Sequence, residues 1–484
     1  MNRTLRINWQ PILVALPALL FVPLLDTLIP MHFHKSREIA GYFQSLAFSR
    51  MPINSFFILT PSESYSALHL HSTLASPLVA LGYHEGGRLI SLLSILVASI
   101  VIFKFVSYLA DYRAGLLAAG FFWLFPLTQR FAYAYLPESL SIVLTTAALF
   151  LAYIDAEQER ELYFYASIIL LLLAITNHLW EAVILAPIGA IYWATQKRRK
   201  FATFAAIGVT WTGVIHLLTK LQPSNTSQLT NFGTQTNGAL FLQINWWLTY
   251  LPSNNWYLSD SLTTFQIFMN VVLPLTVAST IGWGIYYLRS KSNRALMLSA
   301  WHFSGIVIPL ALVGGYHLEY FMWGTLAPLA VSSGLVLHKV LDTALESSYA
   351  DTKTVVLVYL LLVSASGAQV WHNEYGPLDD ETPPQASLDG VAEYEGYAAG
   401  RQMAGHQMTP KDITFVGPEF VDGSYNNYAH DHGRVVVYSD LLLKERSRVA
   451  TDGGPTYVNE TSMVDDCVFL VERVNDELFV RRCN

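Results

Sequence analysis

Long apolar runs separated by short polar turns fill the chain from about Trp9 to Trp371. A helix needs roughly 20 mostly apolar residues to cross the hydrocarbon core of a bilayer, and about eleven segments meet that requirement. The first runs from Trp9 to Leu25, and the others centre near Leu96, Leu117, Ala147, Leu171, Ile188, Val209, Leu273, Ile306, Leu329 and Leu361. The first is too long and too proline-punctuated for a simple signal peptide and lacks a small-residue cleavage site, so it is expected to be retained as an anchor. Two connections, 26–87 and 219–264, are much longer than the rest, and loops of that length are commonly functional.

The pattern changes after Trp371. Ala386 to Gly405 reads as a helix, and Ile413 to Gly417 and Val435 to Tyr438 read as strands. Val468 to Arg473 and Glu477 to Arg482 read as a hairpin turning at Val474-Asn475-Asp476. The expected fold class is therefore a polytopic α-helical membrane module of about eleven transmembrane helices over residues 1–372, followed by a small soluble α/β or α+β domain over 373–484.

Composition supports this division. The chain is 52% hydrophobic and only 13% charged, whereas soluble domains are about a quarter charged, and its mean hydropathy is +0.35. The charged residues are concentrated after Asn373. A net charge of -7 gives no basic footprint for a phosphate backbone, which excludes nucleic acid as a partner.

Lys and Arg set the expected orientation in the membrane. Arg3 and Arg6, the run Lys197 to Lys200, and Arg289, Lys291 and Arg294 all fall on one side, which the positive-inside rule assigns to the cytoplasm. The N-terminus is then cytoplasmic, and an odd number of spans puts the tail and both long loops outside the cell membrane. Cys467 and Cys483 thus lie in an oxidising compartment, equidistant from Asn475 on the two arms of the hairpin, and a disulfide between them is predicted.

Ionisable residues at membrane depth are costly, and by default they mark function. Here they gather at the outer ends of the spans: Asp26, Glu38, His69, His71, Arg88, Arg130, Glu138, Asn177, His178, Glu181, His317, Glu319 and Tyr320. Any one of them taken alone reads as a wet turn residue at a span end. Together, carboxylates, imidazoles and Arg on one surface suit a site where a carboxylate takes a proton and cations hold a phosphate. His430-Asp431-His432 lies in a polar, Gly- and Asn-rich stretch without a fourth ligand at a recognisable spacing, and reads as a solvated loop rather than a metal site.

Several segments follow one another in a recognisable order: Arg37-Glu38-Ile39-Ala40 after the first span, Ser76-Pro77-Leu78 leading to Arg88-Leu89-Ile90, and the turn Tyr112 to Ala119 with its Tyr-Arg-Ala-Gly-Leu-Leu-Ala-Ala sequence. Arg130 to Tyr133 with Pro137-Glu138, Thr176-Asn177-His178, and Glu319-Tyr320-Phe321 before Ala327-Pro328-Leu329 continue the series. In this order they resemble the GT-C glycosyltransferases, specifically the group of glycosyltransferase family 39 type that contains protein O-mannosyltransferases and the aminoarabinose transferase of lipid A. The resemblance spans about Trp9 to Leu341. It implies transfer of a sugar from a polyprenyl- or dolichyl-phosphate carrier to a protein, lipid or glycan acceptor at the outer face, with inversion at the anomeric carbon.

One departure redistributes the roles. Members carry an Asp a few residues before the Ile-Ala core, and here that position falls on His32 or Phe33. The base role implied by the resemblance then passes to Asp26, with Glu38 second and Glu138 supporting, the alternative being a divergent member that has lost it. Arg88, Arg130, His178, His317 and Tyr320 are the implied substrate contacts. No cofactor is implied beyond the lipid-phosphate sugar donor, while a divalent metal stays an open alternative because the class includes both kinds of enzyme. The rival reading is a transporter or flippase of lipid-linked sugars; against it, the sequence has no convincing internal repeat and its polar residues lie at one surface rather than mid-membrane.

Overall fold

The computed structural model describes residues 10–26, 45, 70–83, 86–220, 273–312, 322–344 and 352–370, together with four short strands nearer the C-terminus. Helix α1 (Gln10–Ala15) continues into a 3-10 segment, Leu16–Asp26, so the expected first span is not one α-helix. Pro17 and Pro23 explain this, because each withholds a backbone N–H from the α-helical ladder. Next come α2 (Leu70–Ala80), α3 (Gly86–Leu109), α4 (Tyr112–Leu124), α5 (Pro126–Phe131), α6 (Glu138–Gln158) and α7 (Glu161–Asn177). A 3-10 turn, Leu179–Ile184, leads into α8 (Leu185–Ala194) and α9 (Arg198–Lys220). The remaining helices are α10 (Leu273–Ser290), α11 (Asn293–Leu312), α12 (Trp323–Ala344) and α13 (Thr352–Val370).

Among the described residues, Gly86–Leu109, Glu138–Gln158, Arg198–Leu218 and Trp323–Thr343 are long and apolar enough to cross a membrane. Gln10–Pro23, Glu161–Asn177, Leu179–Ala194 and Lys353–Gln369 are shorter apolar helices. Their outward faces, and that of α10, carry exposed apolar side chains, including Leu19, Ile169, Val209, Leu361 and, on α10, Ile281 and Leu288. A surface of that kind is stable against lipid tails and unstable against water.

The third expected span, around Leu117, breaks where Pro126 starts a new helix. The carbonyl of Trp123, orphaned by that break, accepts from Gln129 Nε2 at 3.0 Å and from Ser366 Oγ of α13 at 2.9 Å. Gln129 also donates to Ser366 Oγ at 2.9 Å, so a buried polar knot replaces the missing helical bonds. Trp123 Nε1 donates to the Val14 carbonyl at 3.2 Å and Tyr359 Oη to that of Leu13 at 2.7 Å, which ties α1 to α4 and α13.

The turn singled out as Tyr112 to Ala119 proves to be a packing device. Asp111 caps α4, accepting from the N–H groups of Arg113 (2.9 Å) and Ala114 (3.0 Å). Ala114, Gly115, Ala118 and Ala119 are all buried. A Cβ on Gly334 of α12 would stand 2.6 Å from the Ala118 backbone nitrogen, so the two helices meet backbone to backbone.

Of the basic residues expected on one side of the membrane, Lys197 to Lys200 and Arg289, Lys291 and Arg294 share one end of the bundle, the basic end, while Arg3 and Arg6 lie outside the described residues. Lys200 reaches the buried Asp155 carboxylate at 2.8 Å and Glu161 at 3.0 Å, Lys197 reaches Glu159 at 3.2 Å, and Tyr192 Oη donates to Asp155 at 3.1 Å. His338 lies between Asp111 (2.9 Å) and Asp342 (3.0 Å), and Arg294 donates to the Leu109 carbonyl at 2.8 Å. Burial works to raise the Asp111 carboxyl, but the bonds from Ala114, His338 and Arg113 outweigh it and hold it below its ordinary value. Three helices close at this end through left-handed non-glycine residues, Glu159, Gln196 and Lys291, with φ of 56°, 60° and 55°.

The strands β1 (Ile413–Val416), β2 (Thr456–Val458), β3 (Phe469–Val474) and β4 (Glu477–Arg482) form one sheet in the order β2-β1-β3-β4. β1 runs parallel to β2 and β3, and β3 and β4 form an antiparallel hairpin. Three of the expected strands match closely, but Val474 pairs with Glu477, so the turn is Asn475-Asp476 and its centre lies half a residue beyond Asn475. Cys467, Cys483, the expected helix at Ala386 to Gly405 and the strand at Val435 to Tyr438 lie outside the described residues, as does His430-Asp431-His432.

Candidate functional site

Opposite the basic end, helix ends and turns bring together a buried polar floor. Its base is α6, which opens at Pro137-Glu138 and presents Glu138, Ser139 and Ser141 over its first turn, all buried. Residues three apart on a helix share a face, so Glu138 and Ser141 are neighbours there. Asn177, at the end of α7, donates through Nδ2 to Ser141 Oγ at 2.9 Å and to the Pro137 carbonyl at 2.8 Å. Its Oδ1 accepts the backbone N–H of His71 at 3.2 Å.

His71 docks the helix of the long 26–87 loop onto this floor. Its Nε2 meets Ser91 Oγ of α3 at 2.9 Å, and Ser139 Oγ donates to Ser91 Oγ at 3.1 Å. Its ring packs edge-on against Tyr135, centroids 5.7 Å apart. Tyr135 in turn lies so close to Gly87 that a Cβ there would stand 2.1 Å from the tyrosine ring. Burial pushes the His71 imidazole down to about 3, with the Gly87 carbonyl acting the other way, so the ring is neutral.

Glu181, in the 3-10 turn between α7 and α8, closes the floor. It is 3% exposed, accepts from Trp323 Nε1 at the start of α12, and bonds to Ser141. Burial pushes its carboxyl up to about 8; the bonds from Trp323 and Ser141 pull it down, and the charge of Glu138 pushes it further up. Two buried carboxyl groups are thus within electrostatic reach of each other, an arrangement in which one readily keeps its proton. His178 packs edge-on against Trp323, centroids 4.6 Å apart.

Among the residues expected from the sequence, Glu138, Arg88 and His178 come to this end of the bundle and are buried. Arg130 lies half-buried in the last turn of α5. Asp26 is the last residue of the first 3-10 segment. Glu38, His317 and Tyr320 lie outside the described residues. His71, Asn177 and Glu181 were visible in the sequence as outer-end polar residues but drew no specific role. Ser91, Ser139, Ser141 and Trp323 carried no signal of their own, since Ser and Trp are ordinary at helix ends near a membrane surface. Among the described residues no group of three or more His, Cys, Asp and Glu is placed to hold a metal ion.

No protein-family model and no curated protein sequence matches the chain. Its structure is similar to that of ArnT from Cupriavidus metallidurans. The apo crystal structure aligns with a TM-score of 0.53 at 13% identity, covering 96% of this chain and 93% of ArnT. The structure bound to undecaprenyl phosphate aligns with a TM-score of 0.52 at 13% identity, covering 98% and 97%. The archaeal oligosaccharyltransferase AglB from Archaeoglobus fulgidus aligns with a TM-score of 0.45 at 12% identity, over 85% of this chain and 62% of AglB. The chain therefore shares its overall fold with ArnT, in keeping with the resemblance seen in its sequence.

Proposed function

We propose that the protein is a membrane glycosyltransferase that moves a sugar from a polyprenyl- or dolichyl-phosphate carrier to an acceptor at the outer face of the membrane, with inversion. The observation that carries this reading is the buried floor of Glu138, Glu181, Asn177 and His71 at one end of an ArnT-like fold, where α2 packs onto it through His71. ArnT has been crystallised with undecaprenyl phosphate, and a carrier of that class is the donor proposed here.

In such a transfer a carboxylate accepts the proton of the acceptor hydroxyl as its oxygen attacks the anomeric carbon, and the lipid phosphate leaves with the bonding electrons. Asp26 is the proposed base, Glu38 the second candidate, and Glu138 a supporting carboxylate. Arg88, Arg130, His178 and His317 are proposed to stabilise the leaving phosphate, with Tyr320 at the sugar. The helical module over 1–372 would supply this chemistry and the region over 373–484 would form a separate outer domain. The N-terminus would lie in the cytoplasm, and Cys467 and Cys483 would be bridged outside.

The test is transfer from radiolabelled polyprenyl-phosphate sugar by the purified, lipid-reconstituted protein. Wild type is expected to transfer, and the double variant Asp26→Asn, Glu38→Gln to lose at least about 100-fold in rate, the low end of what one general base contributes. No transfer by wild type, or undiminished transfer by the double variant, contradicts the assignment. A lipid-linked sugar flippase would instead move label across the bilayer without forming a new glycosidic bond.

A further inference from the structure

Buried polar contacts cross the floor from α2 to the start of α12. The His71 N–H donates to Asn177 Oδ1, Asn177 Nδ2 donates to Ser141 Oγ, the Ser141 hydroxyl favours the charged form of the Glu181 carboxyl, and Glu181 accepts from Trp323 Nε1. At one end, His71 anchors α2, the helix of the loop that carries Glu38. At the other, Trp323 follows His317 and Tyr320 by six and three positions in the chain. Both flanking segments thus carry residues of the proposed site, although none of the relay residues stands among its proposed base or phosphate ligands.

We propose that Glu181 is a positioning residue that couples the two substrate-bearing segments, holding Trp323 directly and His71 through Ser141 and Asn177. The relay is buried throughout, with His71, Asn177, Glu181 and Trp323 each 3% exposed or less. Water therefore does not compete for these bonds, and a break leaves polar groups unsatisfied rather than resolvated. Loosening one end should be felt at the other, because each member has its partners fixed by the next.

The proposal rests on the glycosyltransferase reading for its purpose, but its first test does not use activity. Amide hydrogen exchange over residues 70–80 is measured in the full-length protein in detergent. Trp323→Phe removes the indole donor while keeping an aromatic ring, and Glu181→Leu removes the acceptor. Both are expected to speed exchange over 70–80, a segment neither residue touches in sequence, whereas Glu181→Gln keeps an acceptor for the indole and leaves exchange as in wild type. Unchanged exchange over 70–80 in Trp323→Phe overturns the proposal, and this variant decides the matter if Glu181→Leu does not fold. In the transfer assay, Glu181→Leu should lose roughly 100-fold, chiefly in kcat, as expected when reacting groups are misplaced, with Glu181→Gln restoring it. A wild type that transfers nothing would refute the glycosyltransferase reading while leaving the exchange result to judge the coupling.

Discussion

At the scale of single residues, the floor holds two groups whose protonation in the fold differs from that in the unfolded chain, and they act in opposite directions. Glu181 keeps its proton in the folded protein up to about 8, whereas its ordinary value is 4.5. Between those limits the unfolded state binds fewer protons than the folded one, so stability falls as pH rises from about 4.5 to about 8. His71 is held neutral down to about 3 against an ordinary 6.5, so over that interval the unfolded state binds more protons and stability falls as pH drops. Thermal midpoints in detergent should therefore pass through a maximum between the two regimes. Glu181→Gln should abolish the alkaline decline and keep the acid one, and His71→Gln should do the reverse. A Glu181→Gln profile that still falls between neutral and about pH 8 would contradict the burial argument.

What the sequence revealed at this scale was the location of polar residues rather than their partners. Glu138 and His178 stood out because a carboxylate and an imidazole between apolar runs are expensive. Ser141 and Trp323 did not, because their importance comes from side chains that sit far away in sequence, Asn177 and Glu181. The cost of burying a group can be read from one position, whereas the identity of the group that satisfies it requires the packing.

At the scale of elements, small residues decide how closely helices approach. Gly334 of α12 lies against the Ala118 backbone of α4, and Gly115 against the Phe103 carbonyl of α3, where a Cβ would stand at 2.6 Å. Gly334→Ala must push two backbones apart, unlike a change facing a flexible side chain, and should cost about 1–3 kcal/mol as an overpacking substitution. The loss would appear as a lowered unfolding midpoint in detergent, and an unchanged midpoint would show that the helices are not held at that distance. Gly87→Ala tests the same idea beside the floor. It must displace Tyr135, which packs on His71, and should reduce transfer activity along with stability. The turn Tyr112 to Ala119 was conspicuous in the sequence as a family-like string, and its physical meaning is the capped, small-faced α4. Two expected spans, those around Leu117 and Trp9 to Leu25, proved to be broken because hydrophobicity reports burial in lipid or protein alike, while proline at 17, 23 and 126 governs helix continuity.

At the scale of the whole molecule, the bundle separates two chemistries by end. Lys197, Lys200 and Arg113 at the basic end pair with Glu159, Asp155, Glu161 and Asp111, which makes that end a fastened base. The opposite end buries carboxyl, imidazole and amide groups against α2, and that is the end where the proposed reaction would occur. The division of the chain into apolar runs and basic turns was legible from hydropathy and the placement of Lys and Arg, since both follow from the energetics of crossing a bilayer. The internal geometry of the floor was not, because it depends on which helices become neighbours.

The claim that this floor serves a lipid-phosphate donor is tested most directly by a structure of the lipid-reconstituted protein soaked with a polyprenyl phosphate. The account predicts the phosphate at the end of the bundle that holds Glu138 and Glu181, within ionic contact of Arg88 or Arg130 and with Asp26 or Glu38 the closest carboxylate. A phosphate seated at the basic end, against Lys197 to Lys200, would contradict it.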